Sequence, residues 1–492
     1  MNSSSSPALP SPAHPAADSV AKPVAKPLWR IFLAFLVPMI LSNFLQSLSG
    51  TVNGIFIGQM LGVKALAAVT VMFPVLFFFI AFIIGLGAGA SVLIGQAWGA
   101  QKVERVQAVV GTALTAGVLF GLLVALCGFL FADNLMRALG TPADILADAT
   151  AYAHVMALAV PGLFLFLLIT SMLRGVGDTL SPLMTLLVST GVGLIVTPAL
   201  IRGWGGLPQL GIASSAWGTM VAYAVALLWL GIRLLNKPYR GKTHPMAPNA
   251  ALLRHLRIEP DVLKGILQIG VPTGLQMVVV ALSELAILKL VNGFGSDATA
   301  AYGAVNNIIN YVQFPAISIA ITCSVLGAQS IGAFYATQNR AGAANIQAGP
   351  GLHARLGAIV RTGLQMNLAI TGGLVLLGYL LSRSIIGLFT HDQGVINLAQ
   401  ELLHIMLWSL LVLGMAGALS GVMRASGSVI APTLISVGSI LLIQIPVANL
   451  LARHVGLHGI WFSYPAVFLA MLGLQAAYYR LVWKKKPIQR LI

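Results

Sequence analysis

The stretch Ser91–Ala100, SVLIGQAWGA, returns 233 residues later as Ser324–Ala333, SVLGAQSIGA. Both copies keep the serine-valine-leucine start, a glutamine at the sixth position (Gln96 and Gln329) and a final glycine-alanine pair. Both lie in long apolar runs of the kind that form membrane helices. The repetition predicts that the chain is built from two copies of one helical unit in the same orientation.

Other positions obey the same relation. Pro38 matches Pro272 at an offset of 234 residues, and Arg174 matches Arg424 at an offset of 250. A longer loop in the second copy absorbs the difference between these offsets. Two parallel repeats place a shared path at the interface between them, on a pseudo-two-fold axis along the membrane normal.

The composition indicates an integral membrane protein. Of the 492 residues, 58% are hydrophobic and only 8% are charged, whereas soluble domains carry roughly 25% charged residues. The net charge of +16 does not point to nucleic acid, because the basic residues lie in short gaps between apolar runs and not on one soluble face. Cys127 and Cys323 lie inside apolar runs and form no CxxC pair, so neither a disulfide framework nor a zinc site is predicted.

Twelve apolar stretches are long enough to cross a bilayer. They lie at 31–59, 65–97, 108–131, 147–173, 182–202, 212–235, 263–293, 298–331, 356–387, 399–423, 431–451 and 458–481. With both termini inside, 22 lysines and arginines fall on the cytoplasmic side and 5 on the other. This asymmetry predicts a multi-pass protein of the bacterial inner membrane with both termini in the cytoplasm.

The predicted organisation has five parts, each defined by the spans. They are a disordered cytoplasmic N-terminus (1–27), an N-lobe of six helices (28–235), a cytoplasmic linker (236–262), a C-lobe of six helices (263–481) and a basic cytoplasmic tail (482–492).

Three motifs together resemble the multidrug and toxic compound extrusion (MATE) family, over roughly residues 30–480. The first runs from Leu36-Val37-Pro38 through Ile57-Gly58 to Ala65–Val69, the second is Gly95–Ala100, and the third is Leu173–Pro182. The resemblance implies an all-α membrane protein with twelve helices in two six-helix repeats that form a V-shaped bundle of two lobes. The motif residues expected to have structural roles are Pro38, Gln96, Arg174, Pro272, Gln329 and Arg424.

The resemblance also implies a function, which is export of small amphipathic, often cationic compounds by antiport against protons or sodium ions. No cofactor beyond the coupling cation, no enzyme activity and no nucleic-acid partner are expected, and the chain should act as a monomer in the lipid bilayer. ATP is not expected either, because Gly241-Lys242-Thr243 lacks the glycine and the preceding strand of a phosphate-binding loop. This sequence departs from the family where many members carry an acid in the first helix and this chain has Asn53.

Glu284 is the acid placed well inside a predicted span. A charge at that depth costs about 2.5–3.5 kcal/mol on insertion scales, and intramembrane acids usually line functional cavities. Because burial disfavours the charged form, such a carboxyl can take up a proton, as coupling requires. Some family members also place a glutamate in this seventh helix, so Glu284 is predicted to couple transport to the ion, with a structural hydrogen-bond anchor as the alternative. Lys289, five residues on, lies about 140° away around a straight helix and is poorly placed to pair with Glu284.

Amide side chains form stripes on two spans, at i, i+4 and i+7 on the eighth and at i, i+3 and i+10 on the first. Because amides facing lipid are costly, these faces should point at protein or water. Hydrogen bonding between helices is the alternative to a substrate cleft. The residues predicted to line the cleft are Asn43, Gln46, Asn53, Gln276, Asn306, Asn310 and Gln313.

Two other functions remain open from the sequence. A flippase for lipid-linked saccharides would belong to the same broad superfamily, but such proteins favour a strongly cationic cleft. Here Lys289 is the one basic residue assigned to the membrane interior and to neither side. A membrane-embedded enzyme would need clustered acids, histidines or metal ligands near one membrane face, and the sequence shows no such cluster.

Overall fold

A computed structural model describes residues 27–236, 238, 243–340, 350–390, 392–488 and 490–491, and within these ranges the chain is helical with no β-strand. The predicted disordered N-terminus, apart from Pro27, therefore lies outside the described residues. Gly241 and Lys242 also lie outside them. In the first half the spanning helices are α1 Leu28–Leu61, α2 Val63–Gly99, α3 Val103–Leu130, α4 Leu146–Val176, α5 Leu180–Arg202 and α6 Ala213–Asn236. In the second half they are α7 Pro260–Asn292, α8 Ser296–Arg340, α9 Pro350–Met366 continued by Gly372–Ile386, α10 Gln393–Leu407 continued by Ser409–Ala425, α11 Ile430–Ser439 continued by Ile445–His454, and α12 Leu457–Leu481.

The prediction of twelve spans is confirmed, because the described part of the chain contains twelve helices long and apolar enough to cross a membrane. Several boundaries differ from the hydropathy prediction. α10 begins at Gln393 and not at 399, six residues before the predicted start. The Asp392 carboxylate accepts hydrogen bonds from the Gly394 and Val395 N–H groups, at 2.7 and 3.1 Å, and so begins the helix.

Two helices of the second half contain a π-helical turn, at Asn367–Thr371 in α9 and at Ile440–Gln444 in α11. A π turn widens the helix and is often found at functional positions. Asn367 is fully buried and donates from Nδ2 to the Leu411 carbonyl at 2.8 Å. Ser283 on α7 donates to Gln444 Oε1 at 3.1 Å. The corresponding helices of the first half, α3 and α5, are α-helical throughout, so the second copy has diverged here.

The packing partners of the second half repeat those of the first. α2 packs on α4 as α8 packs on α10, α4 on α6 as α10 on α12, and α5 on α6 as α11 on α12. α1 and α7 also pack across the boundary between the halves, α1 on α8 and α7 on α2. The arrangement is that expected for two parallel copies of one six-helix unit.

Glycines allow α2 and α7 to cross at backbone contact. A Cβ built on Gly85 would lie 2.3 Å from the Gly270 carbonyl oxygen, and one on Gly89 would lie 2.3 Å from the Ile266 carbonyl oxygen. Any side chain would force the helices apart, as at other small-residue crossings in membranes. These glycines therefore fasten the first part of α7 to the opposite half of the molecule.

Among the described residues, the buried core shared by the two halves lies toward one end of the bundle. We call this the basic end, defined as the end where α1 begins and α12 ends. One buried apolar cluster runs through the first half and continues at the basic end into the second half, reaching Ile319, Val422 and Ile488. A separate cluster fills the opposite end of the second half, between Ile287 and Tyr464. The molecule is thus closed at the basic end and divided toward the other.

Candidate functional site

Glu284 lies on α7 where two tyrosines from other helices reach its carboxylate. The hydroxyl of Tyr302 on α8 donates to Glu284 Oε2 at 2.9 Å, and that of Tyr464 on α12 donates to the same oxygen at 2.8 Å. Within the described part of the chain no lysine, arginine or histidine forms an ion pair with this carboxylate. The carboxyl group of Glu284 therefore links α7 to α8 and α12. Its donors are neutral hydroxyls, which stabilise the ionised carboxylate but do not require it to be ionised.

Aromatic and aliphatic side chains surround this carboxylate. The Trp461 ring lies 5.4 Å from that of Tyr302 and 6.1 Å from that of Tyr464, between ring centres. Ile287 is fully buried one turn further along α7. The oxygen atoms of the site are therefore set in an apolar wall, where hydrogen bonds and charges act more strongly than in water.

The three residues of this site share a depth in the bundle. Glu284 lies eight residues before the end of α7, Tyr302 six residues after the start of α8, and Tyr464 seven residues after the start of α12. At 1.5 Å per residue this is roughly 10 Å from the end opposite the basic end. Neither tyrosine was predicted from the sequence. Tyr302 could have been found, because it and Glu284 lie at similar distances from the short connection between α7 and α8.

Lys289 lies in the last turn of α7 and is exposed. It lies within the candidate span Pro260–Asn292, three residues from the end of the helix. A lysine at that position can reach the membrane surface with its ammonium group. It forms no ion pair with Glu284 in the described structure.

The first half contains a polar cavity of about 190 Å³ between α1, α5 and α6, which we call the N-half cavity. Its lining residues are Gln46, Ser49, Gly50, Asn53, Phe56, Leu186, Ser189, Gly193, Leu194, Thr197, Thr219, Ala222 and Tyr223. None of them carries an acid or a base, so the cavity offers amides and hydroxyls alone. Asn53 donates from Nδ2 to the Ser215 hydroxyl at 3.0 Å, which holds its amide at the wall.

The predicted α1 stripe divides between two places. Gln46 and Asn53 line the N-half cavity. Asn43 instead donates from Nδ2 to the Ser318 hydroxyl on α8, at 3.3 Å. One residue along, the Phe44 ring lies 5.3 Å from that of Tyr311 on α8. Asn43 thus lies in the contact between the halves and not in the cavity.

The α8 stripe and Gln276 lie outside the N-half cavity. Gln313 donates from Nε2 to Asn310 Oδ1 at 2.8 Å, and these two residues and Asn306 are half-buried. Gln276 is half-buried on α7, two turns before Glu284. The intervening face of α8 is core, because Ile308 and Val312 are 5% and 7% exposed.

A pseudo-symmetric pair of glutamines links the halves at the basic end. Gln96 on α2 donates from Nε2 to the Ala425 carbonyl at 2.9 Å, and Gln329 on α8 donates from Nε2 to the Gly175 carbonyl at 2.9 Å. Each acceptor directly follows one of the motif arginines, Arg424 or Arg174, in the last turn of α10 or α4.

Two further motif glycines complete this crossing. A Cβ on Gly99 would lie 2.0 Å from the Gln329 carbonyl oxygen, and one on Gly332 would lie 1.9 Å from that of Gln96. α2 and α8 are therefore in backbone contact at the basic end. We call this crossing, with its two glutamine bonds, the basic-end gate. The motif prolines Pro38 and Pro272 lie inside α1 and α7, the helices that pack across the two halves.

The predicted linker is partly structured and rests on the first half. It contains a short helix, Ala250–Arg254, and the Thr112 hydroxyl on α3 donates to the Arg257 carbonyl at 3.2 Å. Asp178, in the turn between α4 and α5, meets the linker at His244, with 3.6 Å between Oδ2 and Nε2. The Met246 N–H donates to His244 Nδ1 at 3.1 Å, which leaves the Nε2 proton facing the carboxylate.

Asp178 also caps α5, since it accepts from the Ser181 N–H at 2.9 Å and from the Ser181 hydroxyl at 2.6 Å. Burial by itself raises the pKa of Asp178. The hydrogen bonds from His244 and Ser181 outweigh burial and hold the pKa of this carboxyl below its ordinary value. The group is therefore a stabilising anion that fastens the linker to the first half.

No group of three or more histidine, cysteine, aspartate or glutamate side chains in the described ranges could hold a metal ion. Cys127 and Cys323 are not bonded to each other.

Comparisons with known proteins point to one family. The MatE family profile matches residues 38–199, 272–338 and 335–450. The chain is 41% identical over 476 residues to the probable multidrug resistance protein YoeA of Bacillus subtilis, covering 96% of this chain and 98% of that protein. It is 24% identical to the multidrug export protein MepA of Staphylococcus aureus, over 89% of this chain and 90% of that protein.

Solved structures agree in fold. A variant of the Vibrio cholerae MATE transporter VcmN superposes with a TM-score of 0.79 at 22% identity, covering 93% of this chain and 98% of that chain. A multidrug resistance MATE family transporter in an outward-facing conformation superposes with a TM-score of 0.78 at 19% identity, covering 93% and 96%.

Proposed function

Because the chain belongs to the MatE family of membrane transporters, we propose that it is a secondary active antiporter that exports small amphipathic, cationic compounds in exchange for protons or sodium ions. The observation that carries this proposal is the Glu284 carboxylate, held by Tyr302 and Tyr464 inside a membrane span. Multidrug export by the relative MepA supports the substrate class.

The orientation follows from the charges. The basic end carries most of the lysines and arginines, so we place it in the cytoplasm of a bacterial inner membrane. Closure of the basic-end gate then corresponds to an outward-facing state. The transporter works as a monomer in the bilayer and uses ion gradients and not ATP.

Substrate and ion are bound in different halves in this proposal. The N-half cavity takes an uncharged portion of the substrate, because its amides and hydroxyls donate and accept hydrogen bonds but balance no charge. The cationic portion lies toward the division between the halves, where the α8 amides Asn306 and Asn310 are half-buried. Glu284 lies in the other half and outside the N-half cavity, so exchange depends on conformation and not on competition for that cavity.

Coupling then requires the ion to bind one conformation more tightly than the other. A ligand with equal affinity for both states shifts nothing. Glu284, on α7, meets this requirement because its two partners come from two other helices, α8 and α12. Movement of these helices relative to α7 changes the number of donors on its oxygen. The driving force is adequate, since one charge crossing 100 mV gains about 2.3 kcal/mol.

The test is efflux of a cationic dye from proteoliposomes with an imposed proton or sodium gradient. Glu284→Gln keeps the shape of the side chain and should insert normally yet abolish gradient-driven efflux. Glu284→Asp keeps the charge and should retain part of the activity.

Asn53→Ala is the matched control in the other half, since it removes one amide from the N-half cavity and no titratable group. It should weaken the apparent affinity for the dye and leave the dependence on the ion gradient intact. Wild-type pumping by Glu284→Gln would make this residue a structural anchor. Loss of gradient dependence in Asn53→Ala alone would place coupling in the first half.

A further inference from the structure

The segment that follows α12 turns back over the basic-end gate. Trp483 is 2% exposed and donates from Nε1 to the Ser426 hydroxyl at 2.9 Å. Its ring stacks on that of Tyr479, with 5.1 Å between ring centres. Further along, Ile488 is 3% exposed, and its carbonyl accepts a hydrogen bond from the Tyr335 hydroxyl. These contacts fasten the segment to α8, α10 and α12 of the second half.

The end of the same segment reaches the first half. The Leu491 N–H donates to Gln96 Oε1 at 2.9 Å. The Leu491 side chain lies over Gly427, where an added Cβ would come within 2.7 Å of it. Leu491 is therefore in contact with α2 of one half and with the turn after α10 of the other.

The bond to Leu491 also orients a gate residue. Gln96 is 1% exposed and has one oxygen and one NH₂ group to place. Its Nε2 donates to Ala425 across the gate, while its Oε1 accepts from Leu491. Reversing the amide would bring its NH₂ group against the Leu491 N–H, so the segment holds the glutamine in the orientation that links the halves.

Charge works against this docking. The stretch from Trp483 to Leu491 contains four basic residues and no acid. Arg490 lies close enough to the loop between α2 and α3 to act on Lys102. Burial, followed by repulsion from Arg490 and Arg105, lowers the pKa of Lys102. Hydrogen bonds and apolar contacts hold the segment in place despite this repulsion, so a small change in its charge should change its occupancy.

We propose that the described residues after α12, 483–488 and 490–491, form a strap that holds the basic-end gate closed and releases one half each time the gate opens. When the halves separate at this end, the segment cannot keep both Gln96 on one side and Tyr335 and Ser426 on the other. The strap therefore favours the outward-facing state, and its charge sets how strongly. The strap acts on the conformational equilibrium, whichever ion or substrate is transported.

The experiment measures the distance between the halves at the basic end in the full chain in lipid nanodiscs. Spin labels are placed at Glu104→Cys and Thr337→Cys, which are exposed on opposite halves, in a Cys127→Ser background. Cys323 is fully buried and stays. Leu491→Pro removes the N–H that bonds Gln96 and should increase the ratio of separated to closed molecules about tenfold, as expected for the loss of one partly buried hydrogen bond. Leu491→Ala keeps that N–H and should shift the ratio less.

A charge reversal tests the opposite direction. In a Gln329→Ala background, which removes the other glutamine bond and loosens the gate, Arg490→Glu converts repulsion by Lys102 and Arg105 into attraction and should favour the closed distance. Lys485→Glu makes the same charge change at an exposed position earlier in the segment and should have a smaller effect. Wild-type distance distributions in Leu491→Pro, or equal effects of Arg490→Glu and Lys485→Glu, would overturn the proposal.

Discussion

At the scale of single residues, the proposed coupling at Glu284 depends on two opposing free energies: the cost of an ionised carboxylate in the membrane and the hydrogen bonds that stabilise it. An ionised carboxylate at membrane depth costs about 2.5–3.5 kcal/mol on insertion scales. A hydrogen bond to a charged group contributes about 1.5–3 kcal/mol, and Tyr302 and Tyr464 provide two. Together the two bonds contribute about 3–6 kcal/mol, which offsets that cost, whereas one bond alone only matches it or falls short. Removing one donor should therefore change which form of the acid is populated. Both hydroxyls donate to the same oxygen, and no hydrogen bond to the other oxygen is seen among the described residues.

Tyr464→Phe is therefore expected to impair coupling while preserving the packing of the ring. The variant loses one of the two donors to Glu284 and should reduce gradient-driven efflux roughly 10- to 100-fold, since 1.4 kcal/mol corresponds to a factor of ten. The measurement is initial efflux rate in proteoliposomes at matched protein density. Tyr479→Phe, a tyrosine on α12 that stacks on Trp483 at the basic end, is the control. Equal rates in both variants would contradict a role for the Tyr464 hydroxyl.

Asp178 makes a second residue-scale prediction, for stability against pH. Its pKa is lower in the folded protein than its ordinary value, so its stabilising effect is present above that ordinary value, near pH 4, and is lost as the pH falls through the folded value. Asp178→Asn should lower the free energy of unfolding by about 1 kcal/mol at pH 7, and the difference from wild type should shrink below pH 4. Thermal unfolding in detergent between pH 3 and pH 7 measures this. A difference that grows on acidification would refute the assignment.

At the scale of helices, α7 connects the two halves. Its first part is in backbone contact with α2 through Gly85 and Gly270, whereas its last turns carry Glu284 into the tyrosine site of the other half. Pro272 lies between these parts, where the missing N–H weakens the helix and allows it to bend. A movement of the last turns of α7 at Glu284 can thus be transmitted along this helix to its contact with α2 of the first half.

The polar face of α8 gives the element-scale prediction. Single cysteines at Asn306 and Asn310 should react with a hydrophilic maleimide, and substrate should protect them, because both side chains are half-buried on one face. Cysteines at Ile308 and Val312 should react far more slowly, since these positions are 5% and 7% exposed. The background is Cys127→Ser with the buried Cys323 retained. Equal labelling around the helix would show that this face is not a cleft wall.

At the scale of the whole molecule, the outer surface is what a bilayer requires. Large apolar side chains are exposed along the helices, among them Leu376, Leu380 and Leu442 at 60–77%. The basic residues concentrate at the end where α1 begins and α12 ends. The exposed apolar sides and the basic end together predict the orientation of the bundle in a membrane.

A reporter fusion tests this orientation. A fluorescent protein that matures only in the cytoplasm, joined after Ile492, should be bright because the basic residues of the α12 end mark the cytoplasmic side. The same reporter inserted after Thr141, between α3 and α4, should be dark. A dark C-terminal fusion in well-expressed protein would contradict the even number of crossings.

The sequence by itself determined the membrane class, the twelve spans and the twofold repetition, because hydropathy and a recurring motif are properties of the chain read in order. It also identified Glu284 and Gln96 as exceptional residues, since an acid or an amide stands out in an apolar run. Only the tertiary structure decided their partners. Tyr464 lies 180 residues after Glu284 and Ala425 lies 329 residues after Gln96, and no local pattern encodes which helices meet. The division of the α1 stripe between the N-half cavity and the contact with Ser318 has the same cause. Side chains on one face of a long helix meet different neighbours at different depths, and packing between helices alone sets where one neighbour ends and the next begins.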